Sequence, residues 1–146
     1  MADYTLRHAT QDDFPAIKSL IHQVRINPTG LDWRRFLVAV GPQGELTGCG
    51  QIKPQGDLHV LASIAVVPAW RGRGVARAVI ERLLAGHQGA LYLTCREHLG
   101  VFYERFGFSA LDEGDMPAHF RRLSRFVRLL RRLRLIDEGL LVMRRP

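Results

Sequence analysis

The feature that most constrains this chain is the passage from Leu58 to Ala76. Leu58 to Val67 is apolar on both faces apart from His59 and Ser63. A strand of that kind is stable only when both its faces are covered. Pro68 ends it, since proline cannot donate to a strand ladder. The turn Arg71-Gly72-Arg73-Gly74 follows, and Val75, Val79, Leu83 and Leu84 then recur on one helical face as far as Gly86. A buried strand, a glycine turn and an amphipathic helix in that order predict an α+β fold with a mixed sheet.

The flanks are consistent with this. Residues 4–8 alternate as a first strand. Thr10 with Asp12 and Asp13 opens a helix carrying Phe14, Ile17, Leu20, Ile21 and Val24 at helical spacing. Asn27-Pro28-Thr29-Gly30 breaks that helix, and Asp32 to Arg35 reads as a short turn. Phe36–Val40 and Leu46–Ile52 make a hairpin around Gly41-Pro42-Gln43-Gly44. Further on, the pattern predicts a strand over 91–95, a helix over 97–106, a long helix over 117–135 and a last strand over 140–143. With no linker or repeat, the 146 residues are expected to form one domain, 1–146.

Composition narrows the setting. No apolar run approaches the roughly 20 residues of a membrane span, and MADYTLRHAT has no signal-peptide core. Two cysteines, Cys49 and Cys95, make no disulfide framework. The expectation is a cytoplasmic protein. The net charge of +7 is localised: residues 1–120 carry 12 basic and 12 acidic groups, whereas 121–146 carry nine arginines against Asp137 and Glu138.

The chemistry centres on the Arg/Gly turn. Glycines let a backbone approach a ligand closely, and a helix start presents free N–H groups to it. With Arg71 and Arg73 alongside, the segment suits a phosphate or pyrophosphate. It lacks the Gly-Lys-Ser/Thr ending of a P-loop, and no third glycine falls in dinucleotide register.

Val67-Pro68-Ala69-Trp70-Arg71-Gly72-Arg73-Gly74-Val75-Ala76 resembles the acetyl-CoA motif of the GNAT N-acetyltransferases, Arg/Gln-x-x-Gly-x-Gly/Ala, matched at Arg71, Gly74 and Ala76. Tyr103-Glu104-Arg105-Phe106-Gly107-Phe108 resembles that family's Tyr-x-x-x-Gly-Phe helix end, and Leu6 to Asp13 its first strand and helix. The resemblance implies a GNAT fold, a mixed central sheet of six to seven strands flanked by helices. It further implies an enzyme moving acetyl from acetyl-CoA to a primary amine of a small molecule or protein, without a metal. Val66 and Val67 would face the pantetheine arm with backbone groups, and Arg71, Gly72, Arg73, Gly74, Val75 and Ala76 would wrap the pyrophosphate. Tyr103 would protonate the departing thiolate; otherwise it is a core aromatic on the stripe of Leu99, Phe102 and Phe106.

Two positions depart from the family pattern. Val60 stands where many relatives carry a glutamate base, and Arg96 where they carry an asparagine; Arg96 could reach a CoA phosphate instead. Nearby groups able to take a proton are His59, Ser63, Asp57 and His98, and strand alternation turns His59 away from the face of Val60. The amine could also be deprotonated through water or arrive neutral. The six histidines show no ligand spacing, and the four serines have no nucleophile-elbow context.

In the segment 117–135, Leu123, Phe126, Val127, Leu130 and Leu133 share one helical face, expected to pack on the domain. Arg121, Arg125, Arg128 and Arg132 line up opposite. That row is either a solvated face, a contact for an anionic partner, or a border of the acceptor pocket. A homodimer is left open. A second class of function also stands: an acyl-CoA-binding or anionic-partner-binding protein on the same fold with little or no turnover. The segment around Asn27 to Trp33, expected to shape the acceptor pocket, names no substrate.

Overall fold

The computed structural model describes residues 3–146, which divide into two compact units meeting between Gln88 and Gly89. In the first, β1 (Thr5–His8), β2 (Phe36–Val40), β3 (Leu46–Gln55) and β4 (Leu58–Val66) form an antiparallel meander, each strand pairing with the next. Two helices flank it, α1 (Phe14–Gln23) and α2 (Val75–Ala85).

Alternation along β2 explains why nearly all of it is buried. Phe36 and Val38 pack with Ile17, Leu20 and Ile21 of α1 and with Cys49 and Ala65, while Leu37 and Ala39 pack with Val75 and Val79 of α2. Each successive side chain serves the opposite layer. β3 admits α2 closely because it carries glycine under the helix: a β-carbon at Gly50 would stand 2.5 Å from Ile64 Cδ1 and 2.9 Å from Val79 Cγ1. The turn between β2 and β3 is closed by the Gly41 N–H donating to Glu45 O at 2.8 Å, with Gly44 at φ 81°. At the start of α1, the Asp13 carboxylate accepts from the Thr10 N–H at 2.7 Å and pairs with Arg7 at 2.7 Å, which holds its pKa down to about 2.

In the second unit β5 (Leu91–Arg96) pairs antiparallel with β7 (Leu140–Arg145), and β7 pairs with the two-residue β6 (Ser109–Ala110). Its helices are α3 (Gly100–Glu104) and α4 (Ala118–Arg132). The buried side chains are Leu91, Leu93, Cys95, Phe108, Met116, Phe120, Val142 and Met143.

The seven strands and four α-helices of the described residues match the expected α+β class. The expected helix over 97–106 divides into a 3-10 turn, Glu97–Leu99, and the short α3. Buried Gly100 sits at the junction, where a β-carbon would meet Leu141 Cδ1 at 2.6 Å; glycine is kept for the close approach and is a poor helix former. The long helix is also shorter than expected, and its apolar face is only partly covered. Phe120 is buried and Leu123, Val127 and Leu130 half-buried, but Phe126 and Leu133 are 57% and 59% exposed.

Candidate active site

The Arg/Gly turn is built to leave donors free. A 3-10 turn, Pro68–Trp70, follows β4, and the Arg71 N–H donates back to Pro68 O at 3.2 Å. Gly72 and Gly74 then adopt φ 78° and 79°, the left-handed region closed to most L-residues. The second of these immediately precedes α2. From Gly72 to Arg77 no backbone N–H has a backbone acceptor among the described residues. The Tyr4 hydroxyl pins the turn by donating to Gly74 O at 3.2 Å, and Arg73 lies over the Trp70 ring, 4.6 Å from its centroid. Arg71 is exposed and enters no ion pair among the described residues. A row of free N–H groups at a helix start, with two arginines beside it, is suited to an anionic diphosphate.

The end of β4 distinguishes the two valines. Val67 donates its N–H to Thr47 O at 2.8 Å, and its carbonyl accepts from the Trp70 N–H at 2.8 Å. Alternation therefore turns the N–H and C=O of Val66 away from β3, leaving Val66 the freer of the pair.

Tyr103 lies on α3 with its ring edge-on to Phe102 at 5.1 Å and to Phe108 at 6.3 Å. Its hydroxyl takes no hydrogen-bond partner among the described residues. Burial pushes the phenol up to about 12, with a smaller contribution from Cys95. Cys95 is itself pushed up to about 11 by burial, then by Glu138. Burial thus raises both a phenol and a thiol in this unit, and keeps the Tyr103 phenol protonated and able to donate near neutral pH.

The residues considered for a base are scattered. Val60 is buried, and His59 is exposed on the other face of β4 with its ring tilted against His87, centroids 5.2 Å apart. His98 is held by Glu138, which accepts from its ring Nδ1 at 2.5 Å and its N–H at 2.7 Å. Asp57 is exposed in the β3–β4 turn. Ser63 is different. It stands mid-strand at φ 61°, where the β3–β4 register slips, and its hydroxyl accepts from Gln51 Nε2 at 2.9 Å. Sequence reasoning passed over Gln51 altogether: a glutamine is fully buried within β3, which only its strand position inside an apolar run could have suggested.

A family model described as an acetyltransferase (GNAT) domain matches residues 32–110, more than half of the chain. The chain belongs to the GNAT acetyltransferase family. Among solved structures it is similar to Rv2747 from Mycobacterium tuberculosis in complex with CoA and NLQ, at 25% identity, covering 97% of this chain and 98% of that one with a TM-score of 0.71. An acyl-CoA N-acyltransferase from Pseudomonas aeruginosa is 21% identical over 99% of both chains, with a TM-score of 0.67. ElaA from Escherichia coli is 18% identical over the full length of both, with a TM-score of 0.68. No curated protein matches the chain. The GNAT fold expected from the sequence, a mixed sheet with flanking helices, is thereby shown. No helix among the described residues is long and apolar enough to cross a membrane, and none of their His, Cys, Asp and Glu side chains form a metal-sized cluster.

The arginine row of this GNAT domain is largely engaged within its own unit. Arg125 and Arg128 both pair with Glu113, holding its carboxyl below the usual range. Arg121 donates to the carbonyls of Glu113 at 3.2 Å and Met116 at 2.9 Å. Arg132 keeps its guanidinium free of such partners among the described residues.

Proposed function

We propose that the chain is an acetyl-CoA-dependent N-acetyltransferase acting on a primary amine, as one catalytic domain over residues 1–146. The observation that carries this reading is the Gly72–Arg77 row of free N–H groups, with Arg71 and Arg73 beside it, in a GNAT chain. Arg71, Gly72, Arg73, Gly74, Val75 and Ala76 hold the pyrophosphate, and Val66 bonds the pantetheine arm, with Val67 beside it. Bound acetyl-CoA supplies an activated acyl group whose leaving atom is sulfur. The amine nitrogen attacks the thioester carbonyl, the C–S bond breaks, and Tyr103 gives its proton to the thiolate. The nitrogen's own proton leaves through water, since Val60 cannot take it. A CoA complex of the 25% identical neighbour supports the cosubstrate. Two buried, unpaired cysteines support a reducing, cytoplasmic setting.

Val60 favours a second reading, a CoA-binding protein with little turnover. Calorimetry with acetyl-CoA and thiol release across a panel of amines separate the two. Binding with amine-dependent thiol release is the expected result. Binding without release from any amine leaves the second reading, and no binding overturns both.

A further inference from the structure

The Asn27–Arg35 segment folds back onto the same face of β3 that carries Gln51. Gly30 O accepts from both Gln51 Nε2 at 3.1 Å and Arg35 Nη2 at 3.1 Å, and Arg35 Nε donates to Gln51 Oε1 at 3.3 Å. Arg35 also lies 3.6 Å from Asp32. The buried amide is thus fixed at both ends, and Gln51 passes a hydrogen bond to the Ser63 hydroxyl on the left-handed bulge of β4. A non-glycine residue held at φ 61° inside a strand is strained, and such strain collects at sites of function.

Lys53 follows two residues after Gln51 and so shares its face. Its ammonium lies against Gly30, 3.1 Å from where a β-carbon there would stand. The side chain is half-buried, and burial and Arg35 both lower its pKa. Among the described residues no carboxylate pairs with it. Asp32 lies 3.3 Å from Arg34 and 3.6 Å from Arg35, so one carboxylate is shared by two guanidinium groups and none is left for Lys53. A partly desolvated cation without an anion is unfavourable as it stands and becomes favourable once an anion arrives. Ser63 accepts from Gln51, so its own hydrogen remains free to donate on that face.

We propose that Lys53, with the Ser63 hydroxyl, binds the carboxylate of the acceptor, so that the amine acetylated is that of a free amino acid. Arg35 and Gln51 are positioning residues that hold Gly30 and Ser63 in place. This rests on the transferase reading for its outcome but not for its binding step. A cluster with more cations than carboxylates repels polycationic acceptors such as polyamines and suits an acceptor that carries a carboxylate.

The test measures binding of the common free amino acids, and of their carboxamides, to the full chain with CoA present, followed by acetyl transfer to the same compounds. At least one free amino acid should bind more than tenfold tighter than its carboxamide. Lys53→Met should lose that preference, Lys53→Arg should keep most of it, and CoA affinity should be the same in all three proteins. Equal affinity for acid and amide in the wild type, or an unchanged preference in Lys53→Met, overturns the proposal. If the acid preference is present but no acetyl is transferred, the carboxylate site stands and the transferase reading falls.

Discussion

Replacing Tyr103 by phenylalanine removes one oxygen atom and leaves the ring. The edge-on contacts with Phe102 and Phe108 survive, and among the described residues the hydroxyl has no hydrogen-bond partner whose loss would strand a buried group. Near neutral pH the variant should therefore unfold within about 0.5 kcal/mol of wild type. Its chemistry should suffer far more. A positioned general acid is worth 10²-fold or more, so turnover should fall about 100-fold, roughly 2.7 kcal/mol at about 1.36 kcal/mol per decade. Affinity for acetyl-CoA should not change, because the pyrophosphate turn is untouched. Steady-state thiol release and calorimetry on the same preparations read both quantities. Wild-type turnover in a folded Tyr103→Phe protein would refute the acid role and leave Tyr103 a core aromatic.

The same hydroxyl makes a separate mark on stability. Tyr103 is pushed up to about 12 in the fold, against about 10 in an unfolded chain. The folded state holds that proton more tightly, so its contribution is complete below about pH 10 and is lost as pH rises toward about 12. Over that window wild type should lose up to roughly 2.7 kcal/mol relative to Tyr103→Phe, from two units at about 1.36 kcal/mol each. Urea unfolding of the pair at pH 8 and pH 11 reads the difference. Parallel behaviour at both values would place the phenol in a wetter environment than its burial indicates.

Three further outcomes follow from particular contacts. Gly74→Asp should remain folded with a Tm lower by a few degrees, since a left-handed φ costs a side chain about 1–2 kcal/mol, and should abolish the thermal shift given by acetyl-CoA. Unchanged CoA affinity would sink the pyrophosphate assignment. Gly50→Ala should destabilise by about 1–3 kcal/mol in urea unfolding, because its methyl would overlap Ile64 and Val79; a neutral effect would mean that α2 sits further from β3. Replacing Arg121, Arg125, Arg128 and Arg132 together by glutamine should lower the Tm measurably, because the bonds to Glu113 and Met116 are lost, while leaving acetyl-CoA affinity unchanged.

What was legible in the sequence was whatever periodicity and glycine chemistry encode locally. The strand at 58–67, the hairpin around Gly41–Gly44 and the helix ending at Gly86 are all present within a residue or a few. Boundaries failed where a tertiary contact decided them, as at Gly100, whose close approach to Leu141 divides one apolar stripe into two short turns. The pyrophosphate turn was legible because its glycines and arginines are contiguous. The Lys53 cluster was not, because its parts come from 30, 35, 51, 53 and 63 and converge only through hairpin register. The bulge at Ser63, which aims that residue, leaves no trace in an otherwise regular apolar run.

The arginine row shows the same limit from the other side. Helical spacing alone aligned Arg121, Arg125, Arg128 and Arg132 and assigned their opposite face to the core. That arithmetic has no way to see Glu113, which precedes the helix and lies across from its first three turns. Once Glu113 is present, three of the four arginines act as struts to the 113–116 segment. Surface arginines of this kind add little each, yet together they fix where the helix begins. Meanwhile the supposed core face is only partly covered, with Phe126 and Leu133 more than half exposed. Charge asymmetry in a sequence therefore identifies a surface with excess cations, but the nearest acidic residue in the fold decides how many remain for a partner. In α4 that leaves Arg132 on the row, with Arg122 beside the exposed apolar strip.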